Sequence, residues 1–163
     1  MPAAHNMVRE GVVAGVIAAT GVAVWFLVVD VVSGHGVFYT PQLLGAALFS
    51  VFGNTAADSP ALHIAVYTVF HYAAFIACGL IASRVVHRAE QEPSVLITFT
   101  LLFIIFELGF YGLAATMAET RLHALAWYQI AAGNVLAALL MGTYLYRTHP
   151  ALRQEFAHAM EGE

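Results

Sequence analysis

Three polar side chains stand inside long apolar stretches of this 163-residue sequence: His71, Glu107 and Asn134. Counting along each apolar run places all three near the bilayer midplane, and Thr20 lies at the same depth in the first run. A buried imidazole and a buried carboxylate can form an ion pair or share a proton. Chains of such groups build the proton relays of pumps and transporters. We therefore expect proton, ion or small-ligand handling at this cluster, with Asn134 orienting the other two groups.

Two tyrosines extend this candidate relay. Tyr67 precedes His71 by four residues and Tyr111 follows Glu107 by four, so each tyrosine shares a helical face with its ionisable neighbour. The same cluster could also serve only to link helices, because interhelical hydrogen bonds in membranes contribute on the order of 0.6 kcal/mol each. The substitution Glu107→Gln separates the two interpretations, since only a functional carboxylate is needed for activity in a protein that still folds.

A second group of polar residues lies near the outer membrane interface and consists of His35, His63, His123 and Asp30. Imidazole and carboxylate are ligands of zinc, copper and non-haem iron, and histidines on two helices can hold a haem. No HExxH, repeated ExxH or CxxCH motif supports such a site. The four residues are therefore weak metal-ligand candidates, and the cofactor stays undetermined. Asp30 is also interpreted as a helix-end acid that reaches water.

The composition requires a lipid environment. Hydrophobic residues make up 61% of the chain and charged residues only 10%, and the mean hydropathy is +0.78, whereas about 25% of the residues of a soluble domain are charged. The chain has no lysine and a net charge of -4, so it has no basic surface for nucleic acid. The single cysteine, Cys78, excludes an intrachain disulfide. The sequence predicts an integral membrane protein whose partner is the lipid bilayer.

Four apolar runs are each long enough to cross a bilayer. They predict an all-α fold, a four-helix transmembrane bundle that forms a single domain over 1–163, with spans at about 11–32, 61–83, 95–117 and 124–146. Thr40-Pro41 is a helix-start signal. We therefore expect a short re-entrant or interfacial helix at about 41–52 in the first outer loop. Residues 150–160 predict an amphipathic helix on the membrane surface.

The arginines predict the orientation of the bundle. In the predicted topology, five arginines lie on one side of the membrane and Arg121 alone lies on the other. The five are Arg9, Arg84, Arg88, Arg147 and Arg153. The positive-inside rule then places both termini in the cytoplasm. The small residues Gly11, Gly15 and Ala19 recur at every fourth position of the first span. This pattern predicts that another helix approaches the first span closely.

Three classes of function remain after these observations. The first is proton, ion or small-ligand handling at the His71–Glu107–Asn134 cluster. The second is a structural or accessory subunit of a larger membrane complex or homo-oligomer, which the small size and short loops favour. The third is a haem- or metal-binding redox protein that uses the outer histidines. An enzyme is less favoured, because the sequence has no phosphate-binding glycine loop and no nucleophile elbow.

Overall fold

The computed structural model of the chain describes residues 6–51, 59–89, 92, 94–95, 97, 99–100, 104 and 127–149. Within these residues the fold is all-helical and has four helices: α1 (Met7–Val32), α2 (Tyr39–Val51), α3 (Pro60–Ala89) and α4 (Trp127–Thr148). Three stretches are long and apolar enough to cross a membrane, namely α1, α3 and Tyr128–Thr148 of α4. The expected third span, 95–117, lies largely outside the described residues, and the expected tail helix, 150–160, lies wholly outside them.

The three long helices extend beyond the apolar runs of the sequence. Helix α1 begins at Met7 rather than at 11, α3 continues past 83 to Ala89, and α4 ends at Thr148 rather than at 146. Hydropathy marks where a chain can face lipid, whereas helical hydrogen bonding continues into the interface until a cap or a proline ends it. These extra turns place further polar residues on the helices at one end of the fold.

Both ends of α1 carry local signals that explain its length. The Asn6 side chain accepts a hydrogen bond from the backbone N–H of Arg9 at 3.2 Å, which is an N-cap. At the other end, Gly34 adopts a φ of +76°. There the N–H of His35 donates to the Asp30 carbonyl at 2.8 Å and the N–H of Gly34 to the Val31 carbonyl at 3.1 Å. This pair of bonds is a Schellman motif, which favours glycine at the left-handed position.

Asp30 joins the end of α1 to the start of α2. Its carboxylate oxygens accept hydrogen bonds from the Thr40 backbone N–H at 2.9 Å and from the Thr40 hydroxyl at 2.7 Å. Asp30 is only 1% exposed, so the expectation of an acid that reaches water is wrong. The physical reason is that the first turn of α2 offers two donors and the positive end of a helix dipole, which replace water around the carboxylate.

Helix α1 packs closely against α3 at glycines. A Cβ placed on Gly11 would lie 2.7 Å from the Leu80 Cα, one on Gly15 would lie 2.6 Å from the Ile76 Cα, and one on Gly79 would lie 2.7 Å from the Gly15 nitrogen. Only hydrogen side chains allow this separation of the two backbones. The close approach expected from the spacing of Gly11, Gly15 and Ala19 is therefore confirmed.

Helix α1 also packs against α4. Trp25 donates its indole N–H to the Gln129 carbonyl at 2.9 Å, and a buried apolar cluster joins the two helices through Ala18, Val22, Phe26 and Ala137. Helix α2, which occupies the position expected for the short helix, packs mainly against α3. Helix α1 is thus the central element of the described fold, because both other long helices pack on it.

Candidate functional site

His71 lies on α3 in the interface with α1 and is 8% exposed. Its Nε2 is 3.0 Å from the Ala19 carbonyl of α1. Because a carbonyl only accepts, Nε2 carries the hydrogen, and in the neutral ring Nδ1 has the lone pair. The Tyr67 hydroxyl lies 3.4 Å from Nδ1 and, in that form of the ring, donates to it. The close approach of α1 and α3 at their small residues is what lets the imidazole reach the backbone of the neighbouring helix.

Aromatic rings surround the His71 imidazole. The ring centroids of His71 and Phe75 are 4.7 Å apart, and the Tyr72 ring meets the imidazole edge-on at 5.8 Å. The Thr20 hydroxyl donates to the Val16 carbonyl of its own helix at 2.8 Å, so the Tyr72 hydroxyl donates to Thr20 across the interface at 3.1 Å. These bonds place Thr20 at the level of His71, in agreement with their expected common depth.

A cavity of about 220 Å³ lies beside His71 among the described residues of α1, α3 and the chain that leads into α2. Its walls are mainly apolar, with side chains such as Phe26, Leu27 and Phe38. The polar side chains in its lining are Thr20, Thr40, Tyr67, Thr68, His71 and Tyr72. Apolar walls with a few polar groups are typical of small-molecule sites in proteins.

The expected relay residues are only partly brought together in the described structure. Tyr67 and His71 are in contact, as their spacing indicated. Asn134 lies on α4, which packs mainly against α1 and only slightly against α3, and it does not line the cavity. Glu107 and Tyr111 lie outside the described residues. Among the expected relay residues that the structure describes, it therefore brings His71 and Tyr67 together.

The outer metal candidates lie apart in the described part of the chain. His35 stacks on Tyr39 with ring centroids 4.0 Å apart, and the His63 ring is 5.3 Å from that of Phe49. Both oxygens of the Asp30 carboxylate accept hydrogen bonds from Thr40. His123 lies outside the described residues. The three described residues form no group whose donor atoms could share one ion.

A different cluster, which no motif in the sequence indicated, does bring such donors together. The described residues hold one group of three or more potential metal ligands, Glu10, His87 and His149, whose donor atoms all lie within 4.8 Å of one another. The sequence signal was positional: each residue lies where a predicted span meets the arginine-rich side of the membrane. Two of these residues lie on separate helices and the third directly follows another helix, so no local spacing in the sequence relates them. Their positions could not show that they touch.

No family model, no curated protein and no solved structure matches the chain. The geometry of the His71 site and of the Glu10–His87–His149 cluster is therefore the basis for assigning a function.

Proposed function

We propose that this chain handles a proton or a small ligand inside a membrane, at a site centred on His71. The observation that carries the proposal is the placement of the His71 ring, which is buried between α1 and α3, oriented by the Ala19 carbonyl and exposed to the adjacent cavity. Ionisable side chains within membrane-spanning helices are costly to bury, and they commonly mark substrate, ion or proton pathways.

The state of the imidazole supports this chemistry. With its hydrogen on Nε2, His71 offers a lone pair at Nδ1, where it can accept a proton or a hydrogen bond. Its present partner there, the Tyr67 hydroxyl, is 3.4 Å away, which is longer than a strong hydrogen bond and can give way to a ligand. Unperturbed histidine changes charge near neutral pH, which suits it to proton transfer.

The proposal includes the complete architecture expected from the sequence. A third span at 95–117 completes a four-helix transmembrane bundle with both termini in the cytoplasm, and Glu107 and Tyr111 on that span complete the relay. The support for the third span is the apolar run 94–117 with its single central carboxylate. The support for the orientation is the concentration of arginines at one end of the helices.

Proton flux tests the relay directly. We would reconstitute the protein into liposomes that enclose a pH-sensitive dye, and compare the wild type with His71→Gln and Glu107→Gln. Both variants should lose flux by about 100-fold or more, because a positioned proton-transfer group contributes about 10²–10⁴-fold to rate. His35→Gln is the matched control, since it makes the same substitution at an exposed imidazole and should leave the flux unchanged. Circular dichroism verifies that each variant is folded.

Ligand retention tests the other form of the proposal. Organic extraction and mass spectrometry of protein purified gently from its own membranes should find a small molecule in the wild type and in His35→Gln, and should not find it in His71→Gln. The proposal is contradicted if the wild type and all three variants show equal flux and if the wild type, His35→Gln and His71→Gln also contain equal amounts of ligand. A second chain that co-purifies in fixed ratio, together with that result, would favour the accessory-subunit alternative.

A further inference from the structure

Glu10, His87 and His149 meet at the end of the fold where α1 begins and where α3 and α4 end. Each is placed by a local feature of its helix. Glu10 lies in the first turn of α1, where its N–H bonds the carbonyl of the cap residue Asn6 at 3.0 Å. His87 lies in the last turn of α3. His149 directly follows α4, because Pro150 disfavours helical conformation in the residue before it.

Backbone carbonyls set the hydrogen positions of both imidazoles. The Nδ1 of His87 is 2.9 Å from the Ser83 carbonyl, and the Nδ1 of His149 is 2.9 Å from the Leu145 carbonyl. Each Nδ1 therefore carries the hydrogen, and in the neutral ring each Nε2 has a lone pair. A carbonyl that accepts from one ring nitrogen while the other points at a common centre is the arrangement that orients metal-binding histidines.

The two Nε2 atoms face the same carboxylate oxygen. The Nε2 of His149 is 3.4 Å from the Glu10 Oε2, and that of His87 is 3.9 Å from it. A tetrahedral ion with bonds of about 2.0–2.1 Å separates its ligand atoms by about 3.3–3.4 Å. The first distance already has this value and the second is about half an ångström longer. All three donor atoms lie within 4.8 Å of one another, so the His87 ring has to move toward the other two ligands to complete the site.

The surroundings of the cluster bury its ligand atoms and dock α1 on α3. His149 is 1% exposed and Glu10 is 7% exposed, whereas the His87 side chain is 26% exposed. The three ligand atoms are nevertheless buried. The Ser83 hydroxyl donates to the Met7 carbonyl at 3.0 Å, which docks the start of α1 on α3 one turn before His87. The cluster is therefore a buried group of ligands on packed elements.

We propose that Glu10, His87 and His149 form a binding site for a divalent first-row transition-metal ion, with Zn²⁺ as the reference ion. Two imidazoles and one carboxylate suit Zn²⁺, Fe²⁺ or Co²⁺, whereas Ca²⁺ and Mg²⁺ prefer all-oxygen sites. Such an ion binds the carboxylate in its ionised form and the imidazoles in their neutral form. Three protein ligands leave one position of a tetrahedral ion open to an exogenous ligand. The ion would join α1, α3 and α4 at one end of the bundle.

Metal titration of the whole protein tests the site. Protein purified without a polyhistidine tag and stripped with a chelator would be titrated with Zn²⁺, and with Co²⁺ as a spectroscopic probe. The wild type and His35→Gln should each bind one ion per chain with the same affinity. Glu10→Gln and His149→Gln should bind at least about 100-fold more weakly, since loss of only the group that hydrogen-bonds a ligand already costs about 10–100-fold.

A cysteine variant keeps the test decisive if a glutamine variant unfolds. His149→Cys retains a metal ligand of smaller volume, and its Co²⁺ complex should show a thiolate-to-cobalt charge-transfer band. The wild type, which already contains Cys78, should show only the visible bands of a tetrahedral nitrogen- and oxygen-ligated ion. The proposal is overturned if the wild type binds no stoichiometric ion, if the glutamine variants bind as tightly as His35→Gln, or if His149→Cys binds Co²⁺ without the charge-transfer band.

Discussion

Asp30 and Thr40 show how single residues stabilise an apolar fold. The carboxylate is buried, yet both of its oxygens accept hydrogen bonds from one residue in the first turn of α2. Hydrogen bonds to a charged group contribute about 1.5–3 kcal/mol, and the helix N-terminus adds about 0.3–1 kcal/mol. Removing one donor leaves part of the carboxylate buried without that bond, so the cost should exceed that of losing an exposed hydroxyl.

The isosteric substitution Thr40→Val tests this residue-level account. It removes the 2.7 Å hydroxyl bond to Asp30 and keeps the side-chain volume, so the free energy of unfolding should fall by about 1.5–3 kcal/mol. The matched control is Thr68→Val, because the exposed Thr68 hydroxyl bonds, among the described residues, only the Ile64 carbonyl of its own helix. Its effect should stay within about 0.5 kcal/mol. Unfolding in mixed detergent micelles measures both, and equal effects would contradict the account.

The pairing of α1 with α3 is decided at the scale of the element. In lipid, apolar burial does not drive helices together, so association depends on close van der Waals packing and interhelical hydrogen bonds. The glycines of α1 and α3 allow the close packing. The bond from His71 to the Ala19 carbonyl is an interhelical hydrogen bond. The site and the interface are thus one feature, because the ring reaches α1 only at this separation of the helices.

Alanine substitution at two glycines tests that dependence. Gly15→Ala places a Cβ 2.6 Å from the Ile76 Cα, so the helices must separate, and the free energy of unfolding should fall by about 1–3 kcal/mol. Gly142→Ala on α4 meets no described atom within 4 Å, and it should be neutral or stabilise by up to about 1 kcal/mol through helix propensity. Micellar unfolding and the His71 ring NMR signals measure the two effects. A neutral Gly15→Ala would show that the interface is less tight than described.

At the scale of the whole molecule, polar groups occur at three levels along α1. At one end, Glu10 lies in the cluster with His87 and His149. Further along α1, the Ala19 carbonyl bonds His71. At the other end, Asp30 bonds Thr40 at the start of α2. At 1.5 Å per residue, Glu10 and Asp30 lie about 30 Å apart, which is about the thickness of the hydrocarbon core of a bilayer. The two carboxylates therefore match opposite membrane interfaces, and His71 matches a depth between them.

Accessibility of engineered cysteines tests the orientation of the bundle. In a Cys78→Ala background, Ser33→Cys and Ser94→Cys each introduce a thiol at an exposed position. Because five of the six arginines are predicted to lie on the side of Ser94, the positive-inside rule predicts that this thiol faces the cytoplasm. A membrane-impermeant maleimide should label Ser33→Cys in intact cells, and should label Ser94→Cys only after permeabilisation. The reverse pattern would contradict the orientation.

The sequence by itself determined that the chain is a helical membrane protein and that Thr20 and His71 lie at one level along their helices. Hydropathy located the three helices that the structure describes as long enough to span a membrane, the four-residue spacing of Gly11, Gly15 and Ala19 identified a packing face, and residue counting placed Thr20 level with His71. These properties depend on position along one helix axis, which composition and periodicity encode directly.

Only the tertiary structure decided which side chains touch. It showed that Asp30 is buried against Thr40 rather than in water, that His71 bonds Ala19 of another helix, and that Glu10, His87 and His149 meet. Lateral contacts depend on how each helix is rotated and how far it continues beyond its apolar run, and a single sequence encodes neither quantity locally. The histidine cluster depends on both, because its ligands come from three helices and lie beyond or at the edge of the runs that hydropathy detects.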